Sequence, residues 1–193
     1  MKHFLIITYL LVKVISMLKE KNKKSIFLIK KNLLFFSIFL FFSFVVAGFF
    51  LGIRTDYTID HFSKASVESS FYGSLIYFAH NGIIILTPLC GLFTFGISSL
   101  FFAVYEGITI GYLLGFTIAN NLSVLEVICR LFHGILEIPA MIIAIQTGFL
   151  GVYIFNSSKR KYILQIRNNI ILIYVLLLLS GLLEAIVTPI FYK

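Results

Sequence analysis

Residues 33–51, LLFFSIFLFFSFVVAGFFL, form the stretch that decides the fold class. These nineteen residues contain no charged side chain. As an α-helix with a rise of ~1.5 Å per residue, they are long enough to cross the ~30 Å hydrocarbon core of a bilayer. Hydrophobic residues make up 60% of the whole chain and charged residues 12%, whereas a soluble domain carries about 25% charged residues. The sequence therefore predicts an all-α integral membrane protein, with the lipid bilayer as its first partner.

More apolar segments follow the first span. Residues 75–119 contain one acid, Glu106, and are long enough for two helices joined by a short turn. Glycine and serine favour placing that turn at residues 96–99, which puts Glu106 inside the third helix. A fourth apolar segment runs from about 129 to 155, and a fifth from about 170 to 191. The sequence thus predicts a polytopic bundle of about five transmembrane helices.

Basic residues predict the orientation of this bundle. Residues 19–31 carry six lysines and one acid, and residues 156–169 carry four basic residues and no acid. With five spans both segments lie on one side, which the positive-inside rule assigns to the cytoplasm. We expect residues 1–32 to form a cytoplasmic amphipathic and basic segment. Residues 33–193 would form the transmembrane domain of a multi-pass protein of the cell membrane, with its amino terminus inside. The net charge of +8 then reflects orientation, and no nucleic-acid partner is expected.

Polar residues inside the spans indicate a candidate site. Three of the eight acids fall within apolar spans, and an ionisable group in a bilayer is costly enough to be a functional candidate. From the predicted helix ends, Glu137 and Glu184 lie at similar depths, ~10–12 Å from the outer surface. Each has a proline nearby, which frees a backbone carbonyl. His133 is one helical turn from Glu137, and Asn81, with His80, is expected near the outer end of the second span. We therefore predict a polar pocket open to the outer leaflet and lined by His133, Glu137, Glu184 and Asn81.

The third acid, Glu106, is predicted to be a separate buried group that lies nearer the cytoplasmic side. It is followed by Gly107, Gly111 and Gly115, which are spaced by four residues. This small-xxx-small pattern lets another helix approach closely. The glycines therefore predict a helix-packing surface.

The pocket residues are compatible with several kinds of chemistry. Histidine and carboxylate side chains suit a divalent metal, for which His133, Glu137 and Glu184 are the candidate ligands. The same groups could act as general acid and base on water, or relay protons in a transporter. Alternatively, they and Arg130 could lock the helices together. The chain has no His-Glu-x-x-His motif, no phosphate-binding loop and no evidently activated nucleophile. A role other than catalysis is therefore favoured, and no cofactor is expected apart from such a metal.

Several short motifs occur in a fixed order along residues 33–191. The most specific is residues 132–140, FHGILEIPA, and the others are His80-Asn81, Gly91, Tyr105-Glu106-Gly107, Gly111, Glu184-Ala185 and Thr188-Pro189. This order resembles the stage II sporulation protein M family of membrane proteins. The chain departs from that family at His80 and Glu106, where members commonly have asparagine.

The resemblance implies a small set of functions. The protein that gives the family its name looks like a membrane scaffold for peptidoglycan-degrading partners. Other members are encoded with circular bacteriocins and look like maturation or export proteins. We therefore expect an integral membrane scaffold or accessory subunit of a cell-envelope complex, with other membrane or envelope proteins as partners. The alternative is a membrane-embedded enzyme or transporter for peptide maturation or export that uses the outer-leaflet pocket. The oligomeric state is left open.

Overall fold

The computed structural model describes only part of the chain, namely residues 31–55, 71–120, 134–154 and 159–191, with side chains at 32–55, 74–120, 134–154 and 162–183. Within these ranges the regular secondary structure is entirely helical. The predictions for residues 1–30 and for most of the polar loop at 54–70 lie outside the described residues.

Five helices in the described ranges are long and apolar enough to cross a bilayer. This confirms the prediction of a five-span helical membrane protein. A short helix, α5, continues the fourth span after a one-residue break, and a 3-10 turn, Cys90–Leu92, follows the second helix. The helices are α1 (Lys31–Ile53), α2 (Phe71–Leu89), α3 (Ile97–Ala119), α4 (Gly134–Phe149), α5 (Gly151–Ile154) and α6 (Lys159–Phe191).

Helix α4 is the centre of the bundle and packs against α1, α2, α3 and α6. In the span formed by α4 and α5, 56% of the most apolar stretch is buried inside the protein, whereas the other four spans range from 17% to 28%. Small side chains make this central position possible, because Ala140 and Ala144 are fully buried and let the neighbouring helices approach. Ile145 is also fully buried and belongs to the same apolar core.

Helices α1 and α3 run parallel, and both contribute glycines to the contact between them. A Cβ added to Gly111 would lie 2.8 Å from the Phe49 backbone nitrogen, and one added to Gly48 would lie 2.8 Å from the Ile108 Cα. These distances are far below ordinary van der Waals contact, so neither position has room for a side chain. The predicted close approach at the α3 glycines is confirmed. Helix α1 adds a second pair of glycines, Gly48 and Gly52, with the same spacing of four.

The turn between α2 and α3 lies at residues 93–96, three residues before the predicted position. Phe95 and Gly96 have φ values of 52° and 85°, so two successive residues in the left-handed region reverse the chain direction. Glycine adopts this conformation without steric cost. Helix α3 then begins at Ile97, which places Glu106 inside the helix, as expected.

Aromatic contacts show which helix ends lie together. The rings of Phe36 and Phe149 are 5.5 Å apart and meet edge to face. Gly96 packs directly against the ring of Phe149. The start of α1, the 93–96 turn, residues 149–154 and the start of α6 therefore form one end of the bundle, which we call the basic end. The other end is called the opposite end.

Helix α6 begins eleven residues earlier than the predicted fifth span, so residues 159–169 are helical rather than part of a loop. Asn169 Nδ2 donates a hydrogen bond to Thr147 Oγ1 at 2.9 Å, which fastens this first part of α6 to α4. Gln165, one turn earlier, is also buried. Hydropathy alone marks this segment as a loop because it does not show that two of its polar residues, Gln165 and Asn169, are buried.

Candidate functional site

Only part of the predicted polar pocket falls within the described residues. Glu137 is half-buried in α4 and Asn81 is half-buried in α2. His133 lies outside the described residues, and Glu184 lies in α6 with its side chain outside them. The pocket as a whole therefore stays a prediction, and the structure locates its members only by helix and by level.

A hydrogen bond between α2 and α3 sets the level of two polar residues. Ser99 Oγ donates to the Pro88 carbonyl at 2.7 Å. Asn81 precedes Pro88 by seven residues and Glu106 follows Ser99 by seven, so both lie ~10 Å from this bond toward the opposite end. Asn81 and its exposed neighbour His80 therefore lie near the middle of α2. This differs from the expected position near the outer end, because α2 extends back to residue 71.

Glu106 and Glu137 lie on two helices, α3 and α4, that pack against each other. Gly148 packs so closely on α3 that a Cβ there would lie 3.2 Å from Ser99 Cβ. Glu137 precedes Gly148 by eleven residues, which puts it ~16 Å toward the opposite end and about one turn beyond Glu106. The two carboxylates lie within electrostatic range of each other. Glu106 therefore lies about one turn nearer the basic end than Glu137, and its separation from the pocket stays a prediction.

The register of α6 separates Glu184 from Glu137. The hydrogen bond from Asn169 to Thr147 puts these two residues at one level. From there Glu137 is ten residues away along α4 and Glu184 fifteen residues away along α6, or ~15 Å and ~22 Å. The two backbone positions thus differ by ~7 Å instead of sharing a depth. The difference arises because the depth of Glu184 depends on how α6 is aligned with α4.

The two carboxylates, Glu106 and Glu137, need groups that compensate their negative charges. Two carboxylates close together in apolar surroundings repel, so the pair requires a proton, a cation or hydrogen-bond donors. Glu137 has a further hydrogen bond, ion pair or electrostatic interaction with another group. Among the described residues, no three His, Cys, Asp or Glu side chains are grouped to hold a metal ion. Since His133 and the Glu184 side chain are not described, the divalent metal site stays a prediction.

A second polar cluster was missed by sequence reasoning and lies at the basic end, where α4 meets α6. It consists of Thr147, Gln165 and Asn169, all of which are buried. Gln146 is fully buried, and neither of its amide atoms has a hydrogen-bond partner within the described part of the chain. The signal was available: Gln165 and Asn169 are four residues apart, so a helix puts both on one face. It was hidden because the segment was assigned to a loop.

One of three comparisons with known proteins found a match. A family model described as Stage II sporulation protein M matches residues 33–189. The matched range contains almost all of the helical bundle, including the carboxylate pair and the polar cluster. No curated protein and no solved structure matches the chain.

Proposed function

Because the chain belongs to the stage II sporulation protein M family, we propose that it is an integral membrane scaffold or accessory subunit of a cell-envelope complex. Its proposed location is the cell membrane, and its proposed partners are other membrane or envelope proteins. The proposal includes no turnover by this chain and no cofactor.

The observation that carries the proposal is that the polar and small residues are used for contacts between helices. Ser99 donates to the Pro88 carbonyl across α3 and α2, and Asn169 donates to Thr147 across α6 and α4. The α1–α3 contact is made through glycines. Together with the close packing of Gly148 on Ser99, these contacts connect all five spans. A fixed framework of this kind is what a scaffold must present to its partners.

We further propose that the basic end faces the cytoplasm. Five of the six lysines of residues 19–31 precede α1 and the sixth, Lys31, begins it, while the four basic residues of 156–169 lie in the first nine residues of α6. Both segments therefore join the bundle at the same end, as the positive-inside rule requires. A reporter fused to the amino terminus is expected to be shielded from a membrane-impermeant label in intact cells and to react after permeabilisation.

Native mass spectrometry of the protein, extracted gently from its own membrane, tests the scaffold proposal. We expect a complex in which the 22.0 kDa chain is bound to other proteins in a fixed ratio. Glu137→Gln is expected to weaken that complex or to lower its thermal stability. Glu106→Gln is the matched variant, because it removes the other carboxylate of the pair and shows whether the effect belongs to the pair.

Two results would contradict the proposal. One is a chain that is released alone with a single divalent ion, which Glu137→Gln removes. The other is a Glu137→Gln protein that keeps its stability and its partners but has lost the cellular function. Either result would favour an enzyme or a transporter that uses the predicted pocket.

A further inference from the structure

We propose that Arg167 forms the head of a binding site for an anionic phospholipid on the outer surface of α6. Arg167 is exposed and lies within the apolar span Tyr162–Leu183. One helical turn to either side, Ile163 and Ile171 are 57% and 53% exposed. Residues at this spacing share one face of a helix, so a single cation lies in the middle of an apolar stripe. The proposal requires only that the chain spans a membrane and is independent of the scaffold function.

The stripe points away from the protein. On the other side of α6, Gln165 and Asn169 are buried and Asn169 is bonded to α4. The guanidinium of Arg167 therefore cannot serve the contact between α6 and α4. Within the described residues no acid forms an ion pair with Arg167, and the segment 156–169 contains no acid. The guanidinium is therefore free to bind an anion from outside the protein.

Depth and chemistry together identify a phospholipid. Arg167 lies two residues from Asn169 toward the basic end, so it is about level with Phe149, whose ring meets Phe36. Phe36 is three residues, or ~5 Å, into the uncharged run of α1 that begins at Leu33. A long arginine side chain at this depth extends its charged group toward the headgroup layer and leaves its apolar stem in the hydrocarbon. The guanidinium fork matches two phosphate oxygens, while Ile163 and Ile171 offer the apolar surface that an acyl chain needs.

The charge of this end favours an anionic lipid over a zwitterionic one. The sequence places five lysines before α1 and a sixth, Lys31, at its first position, and it places Lys159, Arg160 and Lys161 at the start of α6. Both groups are next in sequence to helix ends that lie at the basic end, where Arg167 also lies. Basic residues near a membrane surface attract anionic headgroups and repel the choline group of phosphatidylcholine.

Lipid titration followed by native mass spectrometry tests this site. The purified full chain in detergent is titrated with phosphatidylglycerol or with phosphatidylcholine, and bound lipids are counted. We expect tighter binding of phosphatidylglycerol, with an affinity about tenfold lower in Arg167→Gln, since charge-assisted hydrogen bonds are lost. The affinity of Arg167→Lys for phosphatidylglycerol should lie between those of wild type and Arg167→Gln, because lysine keeps the charge but cannot bind two phosphate oxygens at once as a guanidinium does. Arg54→Gln is the matched control: Arg54 is also exposed, but it follows α1 at the opposite end.

Several outcomes would overturn the assignment. Unchanged phosphatidylglycerol binding in Arg167→Gln would show that Arg167 does not bind the lipid. An equal loss of affinity in Arg54→Gln would show that the effect arises from the net charge of the protein and not from a site at Arg167. Equal binding of phosphatidylcholine would reject the selectivity for anionic lipid. Competition by millimolar inorganic phosphate would identify a site for free phosphate. If Arg167→Gln keeps its lipid but loses a co-purifying protein, the guanidinium pairs with that protein instead. Because Arg167 is exposed, the variants are expected to fold, and size-exclusion chromatography checks this.

Discussion

Gly111→Ala is the sharpest test of the contact between α1 and α3. A Cβ at Gly111 would lie 2.8 Å from both the Phe49 backbone nitrogen and the Val45 carbonyl carbon. An ordinary carbon contact is ~3.5–4.0 Å, and backbone atoms within a helix cannot rotate out of the way as a side chain can. The two helices must therefore move apart by ~1 Å at this point, which also weakens the contacts at the neighbouring glycines.

The expected cost follows from two opposing terms. Forcing an extra methyl group into a packed interface costs ~1–3 kcal/mol, and we expect a cost near the upper limit of this range when the methyl group clashes with backbone atoms. Replacing a helical glycine by alanine returns ~1 kcal/mol through helix propensity. We therefore expect Gly111→Ala to destabilise the protein by about 2 kcal/mol. Gly82→Ala is the matched control, because its Cβ would lie 3.5 Å from Tyr174 Cε1, an ordinary contact. It should be neutral or stabilising by up to ~1 kcal/mol.

The free energy of unfolding can be measured by titration with sodium dodecyl sulfate in mixed micelles. The chain has no tryptophan, so circular dichroism at far-ultraviolet wavelengths is the suitable signal. Gly111→Ala should unfold at a lower detergent fraction than wild type, and Gly82→Ala at the same or a higher one. If the two variants unfold together, α1 and α3 are not held at the distance described, and the reasoning from the glycine contacts is wrong.

The same titration checks two further predictions at the basic end. Asn169→Ala removes the hydrogen bond to Thr147 and should cost ~1–2 kcal/mol, whereas the half-buried neighbour Asn168 offers a control whose alanine variant should change stability by less than ~0.5 kcal/mol. Gln146→Leu should leave the stability unchanged or raise it by ~1 kcal/mol, since a fully buried amide without a partner is costly. A clear loss of stability in Gln146→Leu would mean that its amide is bonded to a group beyond the described residues.

The candidate site was only partly accessible from the sequence. Glu137 and Glu106 are conspicuous because each is an acid within an apolar run, and this much requires no structure. Their relative position depends on how α3 and α4 are aligned. Neither helical segment by itself contains the information that sets this alignment. The cluster around Asn169 was missed because its segment was assigned to a loop, and its hydrogen bond to Thr147 on another helix required the structure.

By itself, the sequence determined the membrane class, the number of spans and the glycine surface of α3. Each of these is a property of one segment, because a helix must be long and apolar enough to cross the bilayer whatever its neighbours are. Only the tertiary structure decided that α4 is central, that α1 supplies the facing glycines, and that Asn81 lies level with Glu106. These features depend on how one helix is placed along another. In a bilayer that placement results from close packing and a few hydrogen bonds between distant residues, because lipid leaves little hydrophobic drive to align the helices.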